Sequence, residues 1–112
     1  MCNRAELQHI LLDTHEGLRN IFGSKLENVL LYGSYARGDQ TSESDIDVMA
    51  LVDLSKSQLA EYRRSISDFS STIDLQYGVL LSIKLQDSES FRRFGQTLPF
   101  FQNVIKEGIS IV

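Results

Sequence analysis

Hydrophobic and polar residues follow two spacings along this chain, and each spacing predicts a different kind of element. Apolar residues that recur every three to four positions are typical of an amphipathic helix, while short apolar runs and strict alternation are typical of strands. Glycine or proline marks the ends of several predicted helices: Gly23 and Gly108 follow the last residue of a helix, and Pro99 is the first residue of one. The predicted helices are residues 3–22, Ser55–Leu75, Ser88–Phe94 and 99–107, and the predicted strands are Val29–Tyr32, Ser44–Val52, Gly78–Gln86 and Ile109–Val112.

The order of these elements predicts an α/β fold. Because helices and strands are interspersed, we expect a small, mixed, twisted β-sheet with helices mainly on one face. The 112 residues suffice for one modest core, and we expect a single domain over residues 1–112. No internal repeat, linker or low-complexity stretch interrupts the pattern.

Two aspartates interrupt the otherwise apolar second strand. Asp45 and Asp47 are two positions apart, so on a strand their side chains share one face, roughly 6–7 Å apart at the backbone. A single aspartate would be an ordinary polar cap at a strand start, with its carboxylate in water. Two carboxylates on one face of an apolar strand repel each other and lose solvation unless a cation or donors satisfy them. The pair therefore favours a magnesium site, because that ion takes a few carboxylates together with phosphate oxygens.

A glycine-framed turn, Gly33-Ser34-Tyr35-Ala36-Arg37-Gly38, separates the first strand from this pair. Glycine allows positive φ and lets the backbone approach a phosphate, whose oxygens accept from backbone N–H groups. A plain strand-to-helix turn would use glycine for geometry alone, and the downstream aspartates favour the phosphate-binding interpretation. The polar stretch Asp39–Ser44 is predicted to be an exposed loop.

In this combination, the turn and Ser44-Asp45-Ile46-Asp47 resemble the signature of the DNA polymerase beta nucleotidyltransferase superfamily, and more narrowly of the minimal nucleotidyltransferases (MNT). The motif covers Leu30–Val52, and the order of elements extends the resemblance to about Leu85. The resemblance implies catalytic, metal-binding roles for Asp45 and Asp47, with two Mg²⁺ ions. With ATP as the substrate, it implies nucleotide-binding roles for Gly33, Ser34, Arg37, Gly38 and Ser44. For Arg37 the alternative is an ordinary surface arginine.

The chain departs from the family pattern at one position. Fully equipped relatives carry a third carboxylate on a neighbouring strand, and the third predicted strand offers none. Asp74 is the nearest candidate for this catalytic and metal-binding role, but the helical pattern places it before that strand. Asp87 follows the strand and is better explained as a helix cap. Either Asp74 begins a longer strand than the pattern indicates, or the third ligand is missing, which would weaken metal binding.

The resemblance implies an enzyme, a magnesium-dependent nucleotidyltransferase that moves AMP from ATP to an acceptor hydroxyl. MNT proteins are often antitoxins, which implies that the acceptor is a tyrosine hydroxyl on a cognate, small, helical HEPN toxin. The alternative is a catalytically weak or inactive nucleotide-binding module that blocks its partner by binding, and a missing third carboxylate would favour it. Adenylylation of an antibiotic is a third interpretation, although such enzymes are usually longer.

Charge and composition narrow the partners further. The net charge of −4 argues against direct binding of long RNA or DNA. A small nucleotide fits better, because the magnesium that accompanies it supplies the positive charge. The single cysteine, Cys2, excludes an internal disulfide, and no Cys/His cluster indicates zinc. Without a long apolar run or a signal-peptide pattern, we expect a cytoplasmic protein with no membrane segment. So short a chain covers little of any acceptor, so we expect a partner chain, in a homo- or hetero-oligomer, to complete the site or supply the substrate.

Overall fold

The computed structural model describes residues 3–111, so Cys2 and Val112, the last residue of the fourth predicted strand, lie outside the described residues. The helices are α1 Arg4–Phe22, α2 Ser34–Arg37, α3 Lys56–Ala60, α4 Arg63–Tyr77, α5 Ser88–Phe94 and α6 Pro99–Glu107. The strands are β1 Leu26–Tyr32, β2 Ile46–Val52, β3 Leu81–Asp87 and β4 Ile109–Ser110. In this described range, no helix combines the length and the apolar character that crossing a membrane requires.

The four strands form one mixed sheet in the order β3-β2-β1-β4. β1 pairs antiparallel with both β2 and β4, whereas β2 pairs parallel with β3. A parallel neighbour requires a crossover connection, and α3 and α4 supply it between β2 and β3. The expected α/β class with a mixed sheet is confirmed.

Alternate side chains of β2 point into two different layers. One set packs in a single cluster with apolar side chains of α1 and α4; its members include Ile46, Val48, Ala50, Val52, Ile10, Leu18, Ile66 and Ile73. From the other face of the sheet, Met49 and Leu51 pack against Phe101 and Val104 of α6. The longer helices therefore cover one face, as expected, and α6 covers part of the other. Because Asp47 is two positions from Met49, its side chain belongs to the α6 face.

The helix predicted over Ser55–Leu75 is broken into α3 and α4. α3 opens with a capping box, in which the side chains of Ser55 and Gln58 each accept from the other's backbone N–H. The chain then turns before α4, where the ring of Tyr62 packs against Phe22 of α1 with centroids 4.7 Å apart. Hydrophobic spacing does not reveal this turn, because the apolar residues on either side of it keep helical spacing.

α4 runs past its expected end and shifts the strand that follows. It continues to Tyr77, and Gly78 closes it in the left-handed conformation with a φ of 66°. β3 consequently begins at Leu81 rather than at Gly78, and it extends to Asp87. The side chain of Asp87 accepts from the backbone N–H of Ser90 and caps α5, as expected.

Candidate active site

The turn after β1 places Gly33 directly beside Asp47. In the β1–β2 register Tyr32 pairs with Asp47, so the next residue of the turn reaches the same carboxylate. Gly33 has a φ of 76° and a ψ of −157°, a backbone conformation that is essentially restricted to glycine. A Cβ at this position would overlap Oδ2 of Asp47 and lie 3.2 Å from its Cγ. Glycine is therefore required here both by the backbone conformation and by the space that the carboxylate occupies.

Asp45 and Asp47 lie together at the start of β2. Asp45 is exposed and precedes the strand, while Asp47 is partly buried within it. Burial raises the pKa of Asp47 above its ordinary value, and the negative charge of Asp45 raises it further, against a smaller opposing effect of Arg37. The metal-free pair is electrostatically unfavourable, and a bound cation would relieve this. The donor set, one exposed and one partly buried carboxylate, fits magnesium with substrate phosphates.

A cleft of about 340 Å³ joins the turn to the second aspartate. Gly33, Ser34 and Arg37 line it from the turn, and Asp47 lines it from β2. The other lining residues come from β1 and α6: Tyr32, Phe100, Asn103, Val104 and Glu107. The predicted phosphate-binding residues Gly33, Ser34 and Arg37 thus meet Asp47 on one surface, while Asp45 lies outside the lining of the cleft.

Two of the predicted nucleotide-binding residues lie outside the lining of this cleft. Gly38 ends α2 in the left-handed conformation, with a φ of 83°, and donates its N–H to the carbonyl of Ser34. The hydroxyl of Ser44 accepts from the Thr41 N–H at 2.9 Å inside the loop that precedes β2. In this structure, both residues shape the backbone around the site.

A carboxylate from α6 enters the cleft. Glu107, the last residue of α6, accepts from the backbone N–H of Gly33 at 3.1 Å. Both of its oxygens also accept from Nη1 of Arg37 at 3.2 Å. Nε of Arg37 donates to Asp39 at 3.2 Å, and these hydrogen bonds, first that to Asp39 and then that to Glu107, raise the pKa of Arg37. The guanidinium is therefore held between two carboxylates.

Two aromatic rings form one wall of the cleft. Tyr32 and Phe100 meet edge to face, with centroids 5.8 Å apart. Burial raises the pKa of the Tyr32 phenol, and the neighbouring Asp47 charge raises it further. Nζ of Lys84 lies 5.4 Å from the centroid of Phe100, within cation–π range. Phe100 remains 43% exposed, so it presents a flat apolar surface beside the phosphate-binding candidates.

Asp74, the candidate third ligand, is not brought to this cleft. It lies in the last turn of α4, and its Oδ1 accepts from the N–H of Leu81 at 2.7 Å. One turn earlier, the hydroxyl of Ser70 donates to the carbonyl of Leu81 at 2.5 Å. Both side chains line a separate cleft of about 680 Å³ between α4 and β3. The longer strand that would carry Asp74 towards Asp45 and Asp47 is not formed, and Asp74 instead joins α4 to the start of β3.

The β3 residue that pairs with Asp47 is Ser82. Neighbouring positions in register share a face of the sheet, so this exposed serine stands where a third carboxylate would face the aspartate. Within residues 3–111, no group of three His, Cys, Asp or Glu side chains is arranged to hold a metal ion. The candidate metal ligands in the described site are therefore Asp45 and Asp47, since the Glu107 carboxylate is bonded to Gly33 and Arg37.

None of the five lining residues from β1 and α6 is found by the sequence pattern, and three of these bring a charge or an aromatic ring: Tyr32, Phe100 and Glu107. Tyr32 stands directly before Gly33, and pairing β1 with β2 in antiparallel register would have placed it beside Asp47. Glu107 is 74 positions from Gly33, and no local pattern connects the two. Phe100 follows only from knowing which face of the sheet α6 covers.

Residues 16–112 match the family described as Polymerase beta, Nucleotidyltransferase. Two proteins of Methanocaldococcus jannaschii, both named as candidate protein adenylyltransferases, are similar in sequence. One, MJ0604, is 32% identical over 91 residues, which cover 81% of this chain and 83% of that protein. The other, MJ0141, is 35% identical over 77 residues, which cover 69% of this chain and 76% of that protein.

Two solved structures share the architecture. A crystal structure of a mutant of the toxin–antitoxin MntA-HpeT superposes with a TM-score of 0.61 at 19% identity, covering 91% of this chain and 72% of that chain. A crystal structure of a toxin–antitoxin with AMP-PNP gives 0.59 at 21% identity with the same coverage. At these identities the likeness establishes the fold, which agrees with the resemblance seen in the glycine turn and the aspartate pair. Because the family match spans most of the sequence, the chain belongs to the polymerase beta nucleotidyltransferase family.

Proposed function

We propose that residues 1–112 act as one domain that transfers AMP from magnesium-bound ATP to an acceptor hydroxyl. The observation that supports this most is the meeting of Asp47 with Gly33 and Arg37 at one open cleft, beside the charge of Asp45. A glycine turn alone is common, and so is a carboxylate at a strand start. Their contact across 14 positions of sequence, from Gly33 to Asp47, is what a metal–nucleotide site requires.

Asp45 and Asp47 would hold two magnesium ions together with phosphate oxygens of the nucleotide. When bound, the metal supplies positive charge that neutralises the phosphates and lowers the pKa of the acceptor hydroxyl. The need for that charge is large, because Arg37 is the one cation among the described lining residues of the cleft. Its guanidinium already faces the carboxylates of Asp39 and Glu107.

The residues of the turn would position the triphosphate. The N–H of Gly33 and the hydroxyl of Ser34 suit the β- and γ-phosphates, and Arg37 steadies them. The acceptor hydroxyl gives its proton to water and its oxygen bonds to the α-phosphorus, while the bond from that phosphorus to the oxygen it shares with the β-phosphate breaks and pyrophosphate leaves. Because such an in-line displacement depends mainly on positioning and charge neutralisation, a small site with few side chains suffices.

For the acceptor we propose a tyrosine hydroxyl on a cognate, small, helical toxin of HEPN type in the cytoplasm. The two relatives named as candidate protein adenylyltransferases support a protein acceptor, and the shared fold with a toxin–antitoxin supports this kind of partner. Transfer of AMP to the toxin would silence it, so the chain would act as an antitoxin within a hetero-oligomer.

A second candidate function is a nucleotide-binding module that blocks its partner without turnover. Two observations favour it: Ser82 occupies the position beside Asp47, and the carboxylate of Asp74 is bonded to Leu81. A pair of carboxylates can hold a nucleotide-bound ion, whereas activation of an acceptor gains from a third. Transfer and binding must therefore be measured separately.

The test is transfer of labelled AMP from ATP to the cognate helical partner, with and without magnesium. Asp45→Asn and Asp47→Asn should each lower transfer by about a hundredfold or more, because one metal-borne stabilising interaction is worth several kcal/mol. The matched control is Asp53→Asn, which removes the same charge from an exposed aspartate just after β2 and should leave transfer unchanged.

Three results are decisive. ATP affinity that is the same with and without magnesium, measured by calorimetry, would reject the metal assignment. Tight partner binding without any transfer by the wild-type chain would select the non-catalytic module. Transfer to a small molecule in place of the protein would reject the antitoxin role while retaining the enzyme.

A further inference from the structure

Two donors of the proposed phosphate cradle already hold an anion from the chain itself. The N–H of Gly33 and the guanidinium of Arg37 both donate to the carboxylate of Glu107, at 3.1 and 3.2 Å. A phosphate oxygen that accepted from the Gly33 N–H, or from Nη1 of Arg37 in the same direction, would need the space that the Glu107 carboxylate now fills. The carboxylate and a nucleotide phosphate therefore compete for the same donors.

The local position of Glu107 makes this contact a tertiary one. It is the last residue of α6, where the helix dipole is negative and disfavours an acidic side chain. Its side-chain hydrogen bonds go to Gly33 and Arg37, outside its own helix. Its stabilisation comes from Gly33 and Arg37, which lie about 70 positions earlier in the chain.

The carboxylate can leave without unfolding α6. Its side chain is 21% exposed, so rotation about its own bonds brings it into water. Arg37 would keep its second partner, because Nε still donates to Asp39. The backbone of α6 stays anchored through Phe101 and Val104, which pack against β2.

We propose that Glu107 acts as an internal competitor that occupies a phosphate position of the cradle and must swing out before the nucleotide triphosphate binds. This inference rests on the proposed function, because it assumes that the triphosphate uses Gly33 and Arg37. The Glu107 carboxylate raises the nucleotide concentration at which the site fills, since each binding event must first break the hydrogen bonds of Glu107.

The test is calorimetric titration of magnesium–ATP, and separately of magnesium–pyrophosphate, into wild type, Glu107→Gln and Glu107→Ala. Both variants remove the competing charge, and Glu107→Gln keeps the shape of the side chain. We expect each to bind both ligands about fivefold tighter or more, which corresponds to ~1 kcal/mol. The control is Glu16→Gln, which removes an exposed carboxylate from α1 and should bind like wild type.

A double-mutant cycle that combines the Glu107 variants with Arg37→Gln shows whether the gain in affinity depends on the guanidinium. If Glu107 competes for the guanidinium, its removal should give a smaller gain in affinity once Arg37 is absent. Wild-type binding with equal or weaker binding in both Glu107 variants would overturn the competitor and assign Glu107 a supporting role, leaving the proposed function intact. Absence of magnesium–ATP binding in the wild type and in both Glu107 variants would overturn the competitor and the proposed function together.

Discussion

Replacing Gly33 with alanine perturbs the site at its narrowest point. An alanine at a φ of 76° and a ψ of −157° is strained, at a cost of roughly 1–3 kcal/mol. For a domain of this size that lowers the unfolding temperature by roughly 5–15 °C. The new Cβ also overlaps Oδ2 of Asp47, so the carboxylate must rotate away from its place beside the turn. Gly33→Ala therefore has two separable effects, one on stability and one on the metal site.

Gly23 provides a matched control. It ends α1 with a φ of 59° and a ψ of −132°, a similarly strained backbone for any other residue. A Cβ there would meet nothing within 4 Å, so Gly23→Ala carries the backbone cost without displacing a carboxylate. Comparing the two variants isolates the contribution of the Gly33–Asp47 contact to nucleotide binding.

The assay is calorimetry with magnesium–ATP at a temperature at which thermal melts show both variants to be folded. Gly33→Ala should bind about tenfold more weakly or worse, a loss of ~1.4 kcal/mol, while Gly23→Ala should bind like wild type. Equal affinities in the two variants would refute the reasoning, since they would show that the carboxylate does not depend on the space left by glycine. An unchanged melting temperature in Gly33→Ala would refute the strain argument on its own.

Three further predictions use thermal or urea unfolding of the metal-free chain. Asp74→Ala should lower the free energy of unfolding by about 1–3 kcal/mol, because it leaves the N–H of Leu81 without its acceptor. Its magnesium–ATP affinity should be unchanged, and a large loss of affinity would show that Asp74 is a metal ligand after all. Gly17→Ala should destabilise by about 1 kcal/mol or more, although alanine is the better helix former, because its Cβ would overlap the ring of Phe69; stabilisation would show that the ring moves aside freely. Asp47→Asn should raise the unfolding temperature in EDTA at pH 7. Burial and the charge of Asp45 raise the pKa of Asp47 above 3.8, so the Asp47 carboxylate binds a proton more tightly in the folded state than in the unfolded state. The wild type therefore loses stability as the pH rises from 3.8 through the raised pKa. The gain from Asp47→Asn should therefore shrink below pH 3.8, and a gain independent of pH would contradict this cause.

The features that could be predicted from the sequence are those set by local chemistry. The proximity of Asp45 and Asp47 follows from their spacing, and the structure places Asp45 just before β2 and Asp47 within it, close enough for the charge of Asp45 to raise the pKa of Asp47. Asp87 is followed by a helical pattern and has a side chain suited to the N-cap, and it caps α5. The mixed sheet likewise follows from the order of the elements.

The features that could not be predicted depend on contacts between distant parts of the chain. The break between α3 and α4 lies where Tyr62 packs against Phe22, 40 positions away, and the hydrophobic period continues across it. The position of Asp74 depends on where α4 ends, and limits of elements are the weakest part of a pattern. Glu107 reaches Gly33 only because β4 and α6 return to β1.

The hydrogen bonds between α4 and Leu81 also affect how the sheet meets other chains. β3 is at one end of the strand order, and Leu80 turns its carbonyl to Ile46, so the N–H and carbonyl of Leu81 point away from the sheet. Such outward groups on an edge strand are a template for pairing with a strand of another molecule. Here Asp74 and Ser70, one helical turn apart, occupy both groups. A strand added at the start of β3 would first have to break these two hydrogen bonds. α4 therefore protects the first residue of this edge strand, Leu81, against intermolecular strand pairing.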